Sequence, residues 1–473
     1  MANADEIWDL VEKKAPRLCA LSDAVWETPE TNFGEYASSQ AHADALREEG
    51  FTVTRGLAGM PTAILGEAGS GGPVIAILGE YDALPGLSQQ AGVAAKQPLA
   101  EGAPGHGCGH NVLGAGSLLA AVAVKDWLAA TGRPGRVRYY GCPAEEGGSG
   151  KGFLVRAGLF DDVDVALCWH PGALVAVNPP ISLACTEILF SFEGRSSHAA
   201  ASPELGRSAL DAVELMNVGV NYMREHMPST ARVHYAVVDA GGSAPNVVQA
   251  HAAVRYLIRA RELDELTPLV GRVKKIAEGA ALMTETSVTS RILSGDANLM
   301  GNSPLEDAMQ IEIERLGPPP FDPEDHALAR AIRATLSPED IRAAFTRFGV
   351  EPDMDLALCD RIVPLGLGQG QGVGSTDVGT VSWVVPTVQI RGATYAVGTP
   401  GHSWQLVAQG KSGIAHKGME QAAKAMAALM KRLFLDAGLI AAAKADLVKR
   451  RTGRPFENPL PDDVQPCPPV AAE

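Results

Sequence analysis

Apolar residues recur at three- and four-residue spacing over residues 5–21 and 35–48, which predicts two helices at the start of the chain. Residues 52–65 alternate and carry a turn at Ala58-Gly59-Met60-Pro61, the pattern of a hairpin. From Pro73 to Leu78 the run is continuously apolar, as expected for a strand covered on both faces of a mainly parallel sheet. Runs at 136–140, 163–168 and 384–390 read as further strands of that sheet. After Asn111, which suits a helix N-cap, Val112, Leu113, Ala115, Leu118, Leu119 and Val122 supply an apolar helical face.

The texture changes near residue 185. Residues 186–193, 232–238, 247–258 and 284–293 read as strands, with helices at 205–226 and 263–282. The order strand, helix, strand, strand, helix, strand is the ferredoxin-like ordering. We therefore expect an inserted α+β lid or dimerisation domain at 185–293. Residues 1–184 and 294–473 then form one discontinuous α/β domain around the parallel sheet. Helices at 304–316, 326–336 and 411–435 belong to it. Pro318-Pro319-Pro320 reads as a linker and the tail from Arg454 as a mobile end.

Two domains also fit the length, since 473 residues exceed what one core usually serves. Apolar content of 46% and charged content of 20% belong to a globular protein of enzyme size. A formal net charge of −15 argues against nucleic-acid or anionic-membrane partners, yet leaves a small acidic substrate open. No run reaches the ~18 to 20 unbroken apolar residues of a membrane span, and the first six residues do not read as a signal peptide. A cytoplasmic location is the expectation. The seven cysteines (Cys19, Cys108, Cys142, Cys168, Cys185, Cys359, Cys467) are scattered and read as reduced core thiols. Cys108 alone has glycine and histidine neighbours suited to chemistry.

That cysteine sits in His106-Gly107-Cys108-Gly109-His110-Asn111, where a thiolate and an imidazole two residues apart can face one metal-sized volume. A lone Cys-x-His pair is weak evidence, because core thiols and hydrogen-bonded imidazoles are common. Its company strengthens it. Glu80 and Asp82, Glu145-Glu146, His170 and His402 all follow or end apolar strands, where open α/β sheets build their sites. Of two adjacent carboxylates, one would ligate metal and the other stand free as general base and later acid; a solvated pair is the plain alternative. Cys108, His110, Glu146, His170 and His402 are too many ligands for one tetrahedral ion, which favours two.

Other residues carry weaker signals. His198 falls in the inserted segment. Asn246 follows a Gly241-Gly242 turn, and Arg255 is either solvated or a two-pronged holder of a substrate carboxylate. Ser375-Thr376-Asp377 closes a glycine-rich loop, 366–374, of the kind that lines pockets. His106, His326 and His416 read as structural. Trp169 and Trp404 are either pocket walls or core.

In chain order, Asp82-Ala83-Leu84-Pro85, Cys108-Gly109-His110, Pro143-Ala144-Glu145-Glu146-Gly147-Gly148, His170-Pro171, Gly194-Arg195-Ser196-Ser197-His198-Ala199, Asn246-Val247-Val248, Ser375-Thr376-Asp377 and His402-Ser403 form one motif series. The series resembles the M20 family of metallopeptidases and amidohydrolases, in its aminoacylase-like branch. What the resemblance implies is a two-metal hydrolase with manganese or zinc, in which Cys108 bridges and His110, Glu146, His170 and His402 complete the ligands. It further implies Glu145 as general base and Asp82 as an orienting acid behind the ligands. His198 would reach a partner protomer's site to stabilise the oxyanion. Asn246 and Arg255 would lie near the substrate, and the inserted domains would pair in a homodimer.

Three departures from the commoner pattern stand out: Asn111 replaces an Asp, Ser375-Thr376-Asp377-Val378 replaces Ser-Glu-Asp-Phe, and Glu80-Tyr81-Asp82 precedes Ala-Leu-Pro. With Gly398-Thr399-Pro400-Gly401-His402-Ser403-Trp404-Gln405, they look like the manganese-dependent sub-branch that splits an aryl amide from glutamate. That sub-branch is one of paired, related chains, which also raises a heteromer with an A-type partner. The expected reaction is hydrolysis of an N-acyl or N-aroyl amino acid, p-aminobenzoyl-glutamate first. An aliphatic or indoleacetyl conjugate or a dipeptide is the rival substrate, and a non-catalytic metal-binding homologue the rival function. An intact Glu145 argues against the last.

Overall fold

Two sheets organise the computed structural model, which describes residues 5–367 and 374–466. In chain order the strands are β1 Thr52–Arg55, β2 Ile64–Ser70, β3 Val74–Glu80, β4 Gly135–Cys142, β5 Val165–Gly172 and β6 Ala176–Val177. They continue with β7 Ala184–Glu193, β8 Arg232–Asp239, β9 His251–Ala260, β10 Ser287–Asp296 and β11 Thr387–Ala393.

The larger sheet has the order β1-β2-β4-β3-β5-β11-β6. Its middle is parallel, β4 with β3, β3 with β5 and β5 with β11, while β1, β2 and β6 pair antiparallel at the edges. Every residue of β3 is buried, because side chains that alternate across a strand find cover on both faces here. Ile75 and Ile77 pack with helices Glu6–Glu27, His110–Thr131 and Gly413–Leu435 on one face. Val74, Ala76 and Leu78 pack with Phe153, Leu154, Val378 and Val381 on the other. The strands deliver their carboxyl ends to one edge of this layer, and the site lies there.

Helix His110–Thr131 runs through the middle of the first core, buried without a break from His110 to Val124. It is long and apolar enough by composition to cross a membrane, yet 83% of its most apolar window is covered by the fold, as in a core helix. Asn111 is not its N-cap. Gly109, with φ of 80°, is, because the chain must turn sharply from Cys108 into the helix through a left-handed residue that glycine adopts without strain. Asn111 lies one step inside and donates its amide to Ser22 Oγ and the Gly410 carbonyl, both at 3.0 Å.

The second sheet, β10-β7-β9-β8, is antiparallel throughout and spans Ala184 to Asp296. Helices Ala209–Met223 and Leu263–Thr284 cover one face, giving the ferredoxin-like order and a separate apolar core.

The C-terminal end differs from expectation. A helix, Ala437–Arg451, follows Gly413–Leu435; its apolar stripe, with only Ile440, Ala443 and Leu447 buried, is too thin to read from spacing. Nor is the stretch after Arg454 loose up to residue 466: Leu460 is buried and Asn458 Nδ2 donates to the Gly152 carbonyl at 2.9 Å. Part of the glycine-rich loop, 368–373, lies outside the described residues, as does Cys467.

Candidate metal centre

Segments far apart in sequence meet at the carboxyl edge of the larger sheet. Glu80 ends β3, His110 opens the core helix, Glu145-Glu146 follow β4, and His170 lies near the end of β5. His402 comes from the loop after β11, at φ of 55°, with its backbone N–H on the Gly107 carbonyl at 2.9 Å. Three sets of donor atoms each fall within 4.8 Å of one another: Cys108, His110 and His170; Cys108, Glu146 and His402; and Glu80, His110 and Glu145. Cys108 belongs to two of them, the position a bridging sulfur needs.

The distances are short enough for the paired atoms to face a shared ion. Cys108 Sγ lies 3.4 Å from His170 Nε2, and His402 Nε2 lies 3.3 Å from Glu146 Oε2. His110 Nε2 and Glu80 Oε2 are 3.2 Å apart, yet neither atom has a hydrogen-bond partner among the described residues. Glu146 Oε1 is likewise unpartnered. Buried polar atoms left open together are costly unless a cation completes them, so these residues fit divalent metal.

Other atoms of His110, Glu146 and His170 are engaged. His110 Nδ1 donates to Asp82 Oδ1 at 2.8 Å, which leaves Nε2 as the free lone pair. Asp82 Oδ2 accepts the Glu146 backbone N–H at 2.9 Å, so one buried acid fixes both ligands. His170 Nδ1 donates to the Pro171 carbonyl at 2.9 Å, again freeing Nε2. Burial, then the Arg391 and His110 charges, holds His170 well below its ordinary value, the neutral form a metal requires. For Glu145, burial and then the Glu80 and Glu146 charges raise the carboxyl well above its usual range. That direction suits a group that takes up and returns a proton.

Two supporting residues, Lys151 and Glu35, have no counterpart among the sequence expectations, and a third, Asp377, has a different role from the expected one. Lys151 is fully buried, and its ammonium lies 2.6 Å from both Glu80 Oε1 and Asp377 Oδ1. Burial would lower it, but the Asp377 and Glu80 charges outweigh that and keep it charged. Asp377 is therefore no flexible pocket-liner: it is wholly buried and also accepts the Lys151 backbone N–H at 2.9 Å. Glu35 accepts from the Phe33 and Ala144 N–H groups, both at 2.9 Å, and from Thr62 Oγ1 at 3.0 Å. It thereby holds Ala144, a non-glycine residue at φ of 58°, directly before Glu145. A lone lysine between two glycines, 150–152, was the available signal for Lys151.

The remaining candidates lie apart from this cluster. His198 and Asn246 share a loop pair in the second region, where the Ala199 N–H donates to the Asn246 carbonyl at 3.0 Å, and both are exposed. Arg255 is 44% exposed and pairs with Glu187 at 2.5 Å. His106 is structural, its Nε2 3.0 Å from the Val25 carbonyl, and Trp169 is core, donating to the Leu113 carbonyl at 2.9 Å.

Comparison with known proteins identifies the family. The chain is 46% identical over 470 residues to the B chain of the p-aminobenzoyl-glutamate hydrolase of Escherichia coli (strain K12), covering 97% of this chain and 98% of that one. The A chain of the same organism's p-aminobenzoyl-glutamate hydrolase is 31% identical over 250 residues, 50% of this chain and 56% of that one. The solved structure of a dinuclear metal-binding peptidase of the M20 family from Bacillus subtilis has a TM-score of 0.54 at 17% identity, covering 89% of this chain and 99% of that one. The model of peptidase family M20/M25/M40 matches residues 76–350. With a match over more than half of its length and a full-length relative in the same group, the chain belongs to the M20/M25/M40 peptidase family and is a hydrolase.

Proposed function

We propose that this chain hydrolyses the amide bond of N-aroyl or N-acyl amino acids, and that p-aminobenzoyl-glutamate, giving p-aminobenzoate and glutamate, is the substrate. The observation that carries the reading is the convergence of Cys108, His110, Glu146, His170 and His402 with a free Glu145 beside them, in a chain 46% identical to the B-type chain of the E. coli hydrolase. Two divalent ions, manganese or zinc, would be held by Cys108, His110, Glu146, His170 and His402. When bound, they supply Lewis acidity toward the amide carbonyl and lower the pKa of water.

The proton work falls to the protein. Glu145, raised by burial and by its acidic neighbours, accepts a proton from the attacking water and returns it to the leaving nitrogen. Asp82 keeps the His110 ring and the Glu146 backbone in register during that exchange. His198 donates to the oxyanion of a partner protomer's site, with Asn246 nearby.

That role needs an assembly. Tyr235, Val237 and Val238 on β8, an edge strand, and Leu215, Val218 and Tyr222 on the adjoining helix are 38–75% exposed, an apolar surface suited to pairing the 185–293 regions in a homodimer. Likeness to both chains of the E. coli enzyme supports a heteromer with an A-type chain as the alternative assembly.

The test is a substrate panel on protein reconstituted with manganese or zinc. Turnover of p-aminobenzoyl-glutamate well above that of N-acetyl and indoleacetyl amino acids and of dipeptides is expected. Preference for one of the latter overturns the substrate. No turnover across the panel, alone or with an A-type chain, overturns the hydrolytic reading.

A further inference from the structure

The buried Arg138 is matched by acids. It holds Glu67 and Asp162 at once. Arg391 is not. Its Nε donates to Asn178 Oδ1 at 2.9 Å and its Nη1 lies 3.5 Å from the Pro171 carbonyl, both neutral acceptors. Asn178 is itself oriented by donating to Gln389 Oε1 at 2.8 Å. Nη2 meets no protein acceptor among the described residues, and the side chain is partly exposed, so those N–H groups face open space.

The position is beside the metal centre. Arg391 on β11 pairs in parallel register with His170 on β5, so the two side chains leave the same face of the sheet on neighbouring strands. The Pro171 carbonyl links them: it accepts from His170 Nδ1 at 2.9 Å and lies 3.5 Å from both Arg391 Nη1 and Tyr395 Oη.

Among the charges acting on Arg391 the strongest is a second cation, the exposed Arg347, and neither has an acidic partner among the described residues. Burial, then the Arg347 charge, pushes Arg391 down to about 9. Two guanidinium groups that repel each other without a counter-ion are a cost the fold has no structural reason to carry. Arginine's planar fork matches a carboxylate. In the proposed substrate, a free carboxylate sits on the carbon bonded to the scissile nitrogen.

We infer that Arg391, with Arg347, forms a carboxylate-binding site next to His170 that holds the amino-acid half of the substrate. The inference rests on the amidohydrolase reading but is measured separately from it. One experiment titrates L-glutamate, the product half, into metal-reconstituted protein by calorimetry, which needs no turnover. Affinity is expected to fall at least about tenfold in Arg391→Met and several-fold in Arg347→Met, with partial recovery in Arg391→Lys. A second compares p-aminobenzoyl-glutamate with its diamide, where loss of the carboxylate preference in Arg391→Met supports the site.

Unchanged glutamate affinity and an unchanged KM for p-aminobenzoyl-glutamate in both variants overturn it while leaving the hydrolase intact. Arginine-dependent glutamate binding in a protein that hydrolyses nothing leaves the site standing and removes the reaction. Arg347 is exposed, so Arg347→Met decides the matter should Arg391→Met fail to fold.

Discussion

The two regions of this molecule treat their polar residues in opposite ways. At the edge of the larger sheet, Glu80, Asp82, His110, Lys151 and Asp377 are almost wholly buried and locked to one another, leaving open only the atoms that face the proposed ions. In the second region His198 and Asn246 stand in solvent, and Arg255 is satisfied by an acid of its own sheet. The first arrangement is preorganised, its donors fixed before any ligand arrives. The second is complete only when something else approaches. The proposed chemistry therefore rests on the first region, while the role proposed for the second depends on assembly or closure.

Breaking the first region should have the largest effect. Glu145→Gln is expected to lower turnover by at least about 10² while leaving metal content unchanged, because in the proposed reaction the acid moves protons and is not a ligand. Steady-state kinetics beside elemental analysis checks this, with Cys108→Ala as the contrast that loses metal. Near-normal turnover in Glu145→Gln would remove it from the proton path.

Much of this centre was legible in the sequence, for a physical reason. Strands buried on both faces are continuous apolar runs, so the ends at which they release Glu80, Glu145 or His170 are visible without coordinates. The four-stranded sheet was legible through its alternation. Contacts that cross the chain were not. Lys151 meets Glu80 and Asp377 across separations of 71 and 226 residues, and no local pattern encodes either meeting. Glu35 fell at the start of an expected helix with no role read for it, though its carboxyl group holds Ala144 from 109 positions away. Arg391 lies one residue past the expected strand 384–390, and its lack of an acidic partner is a fact of three dimensions.

The trans role proposed for His198 sharpens the comparison next. Its replacement by alanine should lower turnover by about 10², the usual cost of losing one oxyanion donor. If it serves a partner, mixing and reassociating His198→Ala with Glu145→Gln protomers should restore about a quarter of wild-type activity, since half the dimers then carry one intact site. Failure of any activity to return would assign His198 to its own chain or to no site.

Removal of one charge from the buried network comes third. Lys151→Met leaves the Glu80 and Asp377 carboxylates uncompensated in a dry interior, a loss on the order of 3–5 kcal/mol in unfolding free energy. Denaturant unfolding of metal-free protein measures it without interference from ion binding. A change under about 1 kcal/mol would mean that water reaches the acids and that the network is not the support described here.

Acid should expose the same burial by another route. His42 is buried, donates Nδ1 to the Ser38 carbonyl at 2.9 Å, and is held down at about 4 by burial. In the unfolded chain it titrates near its ordinary value of about 6.5. Between those values the unfolded state binds the extra proton, so stability is present above about 6.5 and is lost as pH falls toward 4, by up to about 1.4 kcal/mol per pH unit. His42→Gln should flatten the unfolding free energy by that slope across the window. An unchanged slope would show that His42 does not contribute it.

The smallest effect is expected at Arg255, and it tests the comparison from the other side. Its guanidinium has a partner in Glu187, and at 44% exposure such a pair contributes roughly 0.2–1 kcal/mol. Replacement by alanine should then leave KM for p-aminobenzoyl-glutamate within about twofold of wild type, the range expected when no substrate carboxylate is lost. Arg391→Met should raise that KM at least about tenfold, because its guanidinium has no acid to return to. Reversal of that order would mean that Arg255 exchanges Glu187 for substrate when the second sheet closes on the first. The carboxylate would then be held by the region that moves rather than by the one that is preorganised.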